Sequence, residues 1–223
     1  MTIGRLPGVT KNSVKSVKST SKRQVSKPKR VPDLILIGLR ASGKSTIGKL
    51  LAKSLRRKFI DLDNLTAFAL NAPTAGDALE RQGVDAFRAA EAAALAKVFA
   101  NVLNGRAARR PILLALGGGT PTAPGAAELL AHMRDDHACT IVYLRANATT
   151  LTNRTRNSSV KRPSLTSANQ SIKNQTRKEL AAEVATLLRQ RDRLYRSLAS
   201  HILRVDTKTD AQVHAAILEL VRV

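Results

Sequence analysis

The run Gly38-Leu39-Arg40-Ala41-Ser42-Gly43-Lys44-Ser45-Thr46 constrains this chain more than any other feature. Before it stands Leu34-Ile35-Leu36-Ile37, an apolar run bounded by Pro32 and Gly38, which reads as a buried parallel strand. After it, Ile47, Leu50, Leu51 and Leu55 fall at i, i+3, i+4 and i+8 on one helical face. Strand, loop and helix in that order satisfy G-x-x-x-x-G-K-[ST] in its required context. The glycines let the backbone curl so that successive N–H groups point at phosphate oxygens. The helix N-terminus adds about half a positive charge there. Lys44 is placed to reach the β- and γ-phosphates, and the Ser45 hydroxyl to ligate Mg²⁺. The chain therefore handles a nucleoside triphosphate on an α/β sheet.

The remaining pattern extends that sheet. Phe59-Ile60-Asp61-Leu62-Asp63 alternates as a strand end. Ile112-Leu113-Leu114-Ala115-Leu116 is another buried-strand run, stopped by Gly117-Gly118-Gly119. Thr140-Ile141-Val142-Tyr143-Leu144 and His201-Ile202-Leu203-Arg204-Val205 supply two more. Helical spacing occupies 86–103 (with Gly105 as its C-cap), 123–133, 178–199 and 211–222. Five short apolar strands separated by helices predict a three-layer α/β sandwich with a mainly parallel sheet.

A net charge of +22 invites a different reading, a nucleic-acid binder. Four Phe, two Tyr and no Trp are too few for base-stacking platforms. The charge is also localised. Residues 1–32 hold nine Lys/Arg and no acid, and 154–178 hold seven and no acid, leaving +6 for the rest. The first segment shows no apolar period and reads as a disordered basic extension of a domain spanning 33–223. Its composition also suits an organelle transit peptide. The second reads as a polar lid at about 154–178. The single cysteine, Cys139, fits a reducing compartment. No apolar run reaches the roughly 18–20 residues of a membrane span. The expected location is the cytoplasm of a bacterium, or a plastid if 1–32 is a transit peptide.

The acceptor side is read from carboxylates and guanidinium groups. The strand 112–116 ends in glycines rather than the aspartate of motor ATPases and GTPases, which points to a small-molecule kinase. Asp61 and Asp63, two apart, are expected to share one face of their strand at the edge of the ligand crevice. One carboxylate can hold a metal-bound water and the other can accept an acceptor hydroxyl's proton. The plainer alternative is a strand-end turn in which Asp63 caps a helix. Arg88 and Glu91, i and i+3, are close enough to pair. Gly117-Gly118-Gly119 offers bare backbone N–H groups at a strand end.

Taken in order, these pieces resemble the shikimate kinase family: the loop 38–46, Asp61 and Asp63, Phe87-Arg88 with Glu91, the triple glycine, Arg162-Pro163, and Arg191 followed by Leu194-Tyr195. The resemblance covers 34–222. It implies a nucleoside-monophosphate-kinase-like fold with a mobile lid and a monomeric enzyme. It also implies transfer of the γ-phosphoryl of ATP to the 3-hydroxyl of shikimate, in aromatic amino-acid biosynthesis. On the matching positions, Gly38, Ala41, Ser42, Gly43, Lys44, Ser45 and Thr46 hold ATP. Asp63 holds the shikimate hydroxyls and is the base. Arg88 and Arg191 grip its carboxylate, with Gly118 and Gly119 as backbone contacts. Ser45 and Asp61 form the magnesium side. Arg162 is the catalytic lid arginine and Arg154 flanks adenine.

Three departures stand out. Ala41 occupies a usual glycine position, Ser164-Leu165 replaces Leu-Leu after Arg162-Pro163, and Arg193 stands where proline is common. The stretch between Arg162 and Arg191 is longer than usual by about ten residues, in a polar loop that tolerates insertion. Lys161 could share or replace the role of Arg162. The runner-up function is another P-loop kinase such as a gluconate kinase, and the third is a nucleic-acid binder with an inactive kinase core. Arg88, Arg191 and Asp63 together favour shikimate, because guanidinium is the best planar partner for a carboxylate.

Overall fold

A computed structural model describes Met1 and residues 31–104, 110–136, 139–158 and 175–221. All but Met1 belong to one unit, Val31–Val223. Its frame is a sheet of five parallel strands: β1 (Asp33–Ile37), β2 (Lys58–Asp61), β3 (Ile112–Ala115), β4 (Cys139–Arg145) and β5 (His201–Arg204), in the spatial order β2-β3-β1-β4-β5. β1 lies at the centre, in register with Leu113 through Leu34 on one side and with Ile141 through Ile35 on the other. β1 and β3 are buried along their whole length. This is why both read as unbroken aliphatic runs, since helices cover both faces of a parallel sheet. The edge strands β2 and β5 are only partly buried, and β5 alternates. Asp33 Oδ1 accepts Ile112 N–H at 2.7 Å, joining the starts of β1 and β3.

The helices are α1 (Lys44–Ser54), α2 (Leu62–Ala69), α3 (Ala75–Asn104), α4 (Ala126–Asp135), α5 (Ala148–Arg156), α6 (Arg177–Leu198) and α7 (Asp210–Val221), with a 3-10 turn at Thr120–Thr122. α6 starts on a capping box, in which Thr176 and Glu179 satisfy each other's backbone N–H groups. Thr176 holds the Glu179 carboxyl below its ordinary value.

One expectation needs correction, and two segments gain detail. The strand begun at Phe59 stops at Asp61, so Asp61 and Asp63 do not share a strand face; Asp63 lies in the first turn of α2. The cap of that helix is Asp61, whose Oδ1 accepts Asp63 N–H at 3.2 Å. A short helix with two acids at its start had the alternation of a strand. Next, α3 begins at Ala75, so the helix expected at 86–103 is preceded by a helical segment that the sequence pattern did not reveal. Gly83 breaks its regularity with φ 81° and ψ 172°, which separates the two apolar patterns. Finally, Arg154 and Arg156, at the start of the segment read as a lid, lie in the last turn of α5. The rest of that segment, 159–174, and the Gly105 cap lie outside the described residues. Among the described residues no helix is long and apolar enough to cross a membrane.

Candidate active site

A cleft of about 730 Å³ opens where β1, β2 and β3 end. Ligands of open α/β sheets bind at this edge, where successive connections leave in opposite directions. The loop after β1 forms one wall. Gly43 caps α1 at φ 98°, and Ala41 takes the left-handed φ of 61° despite its Cβ. Ala41, Gly43, Lys44, Ser45 and Thr46 line the cleft. Gly38 and Ser42 lie beneath the loop and shape it: Gly38 has φ 148°, and a Cβ there would meet Leu144 O at 2.6 Å and Ser42 Oγ at 2.8 Å.

Lys44 is buried, and its Nζ donates to Gly38 O at 2.8 Å and Leu39 O at 2.9 Å. The ammonium is thus held on the loop it belongs to. Ser45 Oγ donates to Asp61 Oδ2 at 2.7 Å, so the start of α1 and the end of β2 meet at two oxygen groups. This donor set is hard and suits a small divalent cation, which is commonly held by one or two protein oxygens beside substrate phosphates. No cluster of three or more His, Cys, Asp or Glu is arranged for a metal among the described residues.

The residues expected on the acceptor side meet in the same cleft. Asp63, Arg88, Gly118, Gly119 and Arg191 all line the cleft. Arg88 pairs with Glu91, a carboxylate with only 1% exposure. Thr120 Oγ1 also donates to Glu91, at 2.7 Å. Each glycine of the 117–119 run has its own reason. A Cβ on Gly117 would strike Asp63, Glu91 and Thr120. One on Gly118 would meet Arg40 N at 2.8 Å, and one on Gly119 would overlap the Arg88 guanidinium. The run is therefore a packing requirement at the point where three walls meet.

Arg191 Nη1 donates to Gly118 O at 2.9 Å, and Tyr195 Oη donates to the same oxygen at 2.5 Å. Arg154 lines the cleft from the last turn of α5 and donates to Val205 O at 3.1 Å. Arg162 and Lys161 lie outside the described residues.

The sequence reading missed two features. One is Thr120, whose role depends on a buried acid 29 positions away. The other is Asp192, which accepts Tyr143 Oη at 2.9 Å and Arg145 Nε at 2.7 Å and so ties α6 to β4. Burial opposes charge on Asp192, but the hydrogen bonds from Arg145 and Tyr143 outweigh it and hold the carboxyl below its ordinary value. Only the adjacency of Asp192 to Arg191 could have hinted at it.

Residues 40–222 match the family model "Shikimate kinase". Shikimate kinase 2 of Yersinia pestis (strain Pestoides F) is 33% identical over 189 residues, 84% of this chain and 94% of that one. Shikimate kinase 2 of Escherichia coli O81 (strain ED1a) is 36% identical over 182 residues, covering 81% and 90%. The solved shikimate kinase from Acinetobacter baumannii in complex with shikimate superposes with a TM-score of 0.69 at 26% identity, covering 86% of this chain and 93% of that one. With the loop, the cleft and the guanidinium wall in the order that fold requires, the chain belongs to the shikimate kinase family of ATP-dependent kinases.

Proposed function

We propose that this chain transfers the γ-phosphoryl group of ATP to the 3-hydroxyl of shikimate, using the cleft residues in the following roles. The observation that carries the reading is the juxtaposition of a phosphate loop with Asp63, Arg88 and Arg191 in one cleft. A triphosphate and a small polyhydroxy carboxylate are the ligands this chemistry suits. The 33–223 segment forms the kinase domain, preceded by the basic extension 1–32.

The backbone N–H groups of 41–46 and Lys44 hold the phosphates. An ammonium has three donors, so Lys44 can bridge its own loop and a phosphate oxygen. Arg88 and Arg191 bind the shikimate carboxylate, and the buried Glu91 fixes the Arg88 fork in its plane. Gly118 and Gly119 bring the backbone close to the substrate ring. Asp63 accepts hydrogen bonds from the hydroxyls and takes the proton of the attacking one. The hydroxyl oxygen then bonds to the γ-phosphorus, the bond to the β–γ bridging oxygen breaks, and ADP leaves. Ser45 and Asp61 would hold Mg²⁺ beside the phosphates. When bound, that ion neutralises charge on the β- and γ-oxygens. Arg154 lies toward the adenine side, and Arg162, with Lys161 beside it, belongs to the lid at about 154–178 that closes over the phosphates and limits wasteful hydrolysis.

The test is a coupled ADP-release assay on the full chain with shikimate, gluconate and nucleoside monophosphates. The expected result is ADP release with shikimate alone. Lys44→Ala and Asp63→Ala should each lower kcat by about 10²-fold or more, the scale for removing a group that acts on the transition state. Turnover of gluconate but not shikimate would overturn the reading.

A further inference from the structure

The Gly118 carbonyl accepts two side-chain donors from the same helix, one turn apart. Arg191 reaches it from the cleft wall, whereas Tyr195 reaches it from the core, with 0% of its surface exposed. A carbonyl has two lone pairs and can serve both. The Tyr195 ring is itself fixed: Tyr143 meets it edge-on, 5.3 Å between centroids at 81°. The Tyr143 hydroxyl is in turn committed to Asp192. Burial raises the Tyr195 hydroxyl above its ordinary value, so it remains a proton donor at neutral pH.

Two consequences follow for the acceptor site. The shared oxygen is an anchor for the guanidinium, so whatever fixes that oxygen fixes Arg191. The Gly118–Gly119 peptide is trans and planar, so aiming the Gly118 C=O at α6 aims the Gly119 N–H the opposite way. Three adjacent glycines have no side chains to hold that plane unaided.

We infer that Tyr195 is a positioning residue for substrate binding: its hydroxyl, through Gly118 O, sets both the Arg191 fork and the direction of the Gly119 N–H. This rests on the reading above that Arg191 and Gly119 face shikimate. It assigns a selective role to a core tyrosine whose phenol would otherwise count only toward packing.

The experiment compares wild type, Tyr195→Phe, Arg191→Met and the double variant, by calorimetric titration with shikimate and by steady-state kinetics. Tyr195→Phe keeps the ring and removes one hydrogen bond. Its shikimate Kd and KM should rise about three- to tenfold, the scale of one such bond. KM for ATP and kcat should stay within twofold of wild type. In the Arg191→Met background the same substitution should cost less than half as much, because the shared anchor has lost one of its dependants. A shikimate Kd within twofold of wild type would overturn the inference. So would equal losses in both backgrounds, or a parallel loss for ATP, which is what a merely structural tyrosine would produce. If wild type neither binds nor phosphorylates shikimate, the functional reading fails first and takes this inference with it; the wild-type arm separates the two failures.

Discussion

Ser45 Oγ and Asp61 Oδ2 are 2.7 Å apart, and this bond joins the phosphate loop to the strand that leads into α2. Asp61 uses its other oxygen to cap α2, which places Asp63 in the cleft. One carboxylate thus meets Ser45 and orients the helix carrying Asp63, so on the proposed roles it serves both the metal side and the base. Asp61→Asn keeps an acceptor for the cap but loses the charge. The Mg²⁺ concentration for half-maximal activity should rise by about 10- to 100-fold, as for partners of a bound metal. Asp61→Ala should show that loss and also unfold more easily by about 1 kcal/mol, the usual value of a cap. A magnesium titration with a thermal melt reads both effects. Superimposable magnesium curves for wild type and Asp61→Asn would remove Asp61 from the metal side.

Glu91 is a buried charge in the cleft wall. It is 1% exposed and held by Arg88 and Thr120. Breaking such a pair leaves an uncompensated charge at a cost of about 3–5 kcal/mol. Arg88→Met should therefore lower Tm by roughly 10 °C, at the 2–4 °C per kcal/mol expected for a domain of this size. Arg88→Met combined with Glu91→Met should recover part of that loss, because the stranded carboxylate has been removed as well. Differential scanning calorimetry of the single and double variants checks this. A double variant at least as unstable as the sum of its singles would show that the two residues act separately.

Ala41 sits at φ 61°, where a Cβ is strained. A left-handed conformation costs an ordinary residue roughly 1–2 kcal/mol, and replacing alanine by glycine loses about 0.4–1 kcal/mol through the unfolded chain. Ala41→Gly should thus range from neutral to about 1.6 kcal/mol more stable. Urea unfolding measures this directly. A loss of more than 1 kcal/mol would mean that the methyl group makes contacts that outweigh its strain.

How much was legible in the sequence follows from which interactions are local. The loop 38–46 was readable because strand, glycines and helix start are contiguous, and β1 and β3 because full burial leaves an aliphatic run. Arg88 and Glu91 were readable as a pair through their i, i+3 spacing, but that spacing could not show the near-complete burial of Glu91. α2 was lost because eight residues supply too little helical period, and its capping acid extended the apparent alternation of β2. The triple glycine was visible as bare backbone. The collisions that require it come from Asp63, Glu91, Arg40 and Arg88, which only the folded chain assembles. Thr120, and Tyr143 with Arg145 around Asp192, were invisible for the same reason.

The Asp192 cluster predicts an acid-side loss of stability. Burial alone would raise this carboxyl, but Arg145 and Tyr143 donate to it, and Arg145 and Arg196 add positive charge. The net result is a folded-state value below the ordinary 3.8. Well above that ordinary value the carboxylate is charged in both folded and unfolded chains, and the cluster contributes in full. As pH falls toward about 4, the unfolded chain takes up the proton first, and stability declines with falling pH. The decline ends once the folded carboxylate is protonated too. Denaturant unfolding of wild type and Asp192→Asn, from pH 6 down to pH 2, checks the sign. The stability difference should be greatest near pH 6 and shrink below pH 4. A difference that stays constant across that range would mean that Asp192 is held by shape and hydrogen bonding alone, with no contribution from its charge.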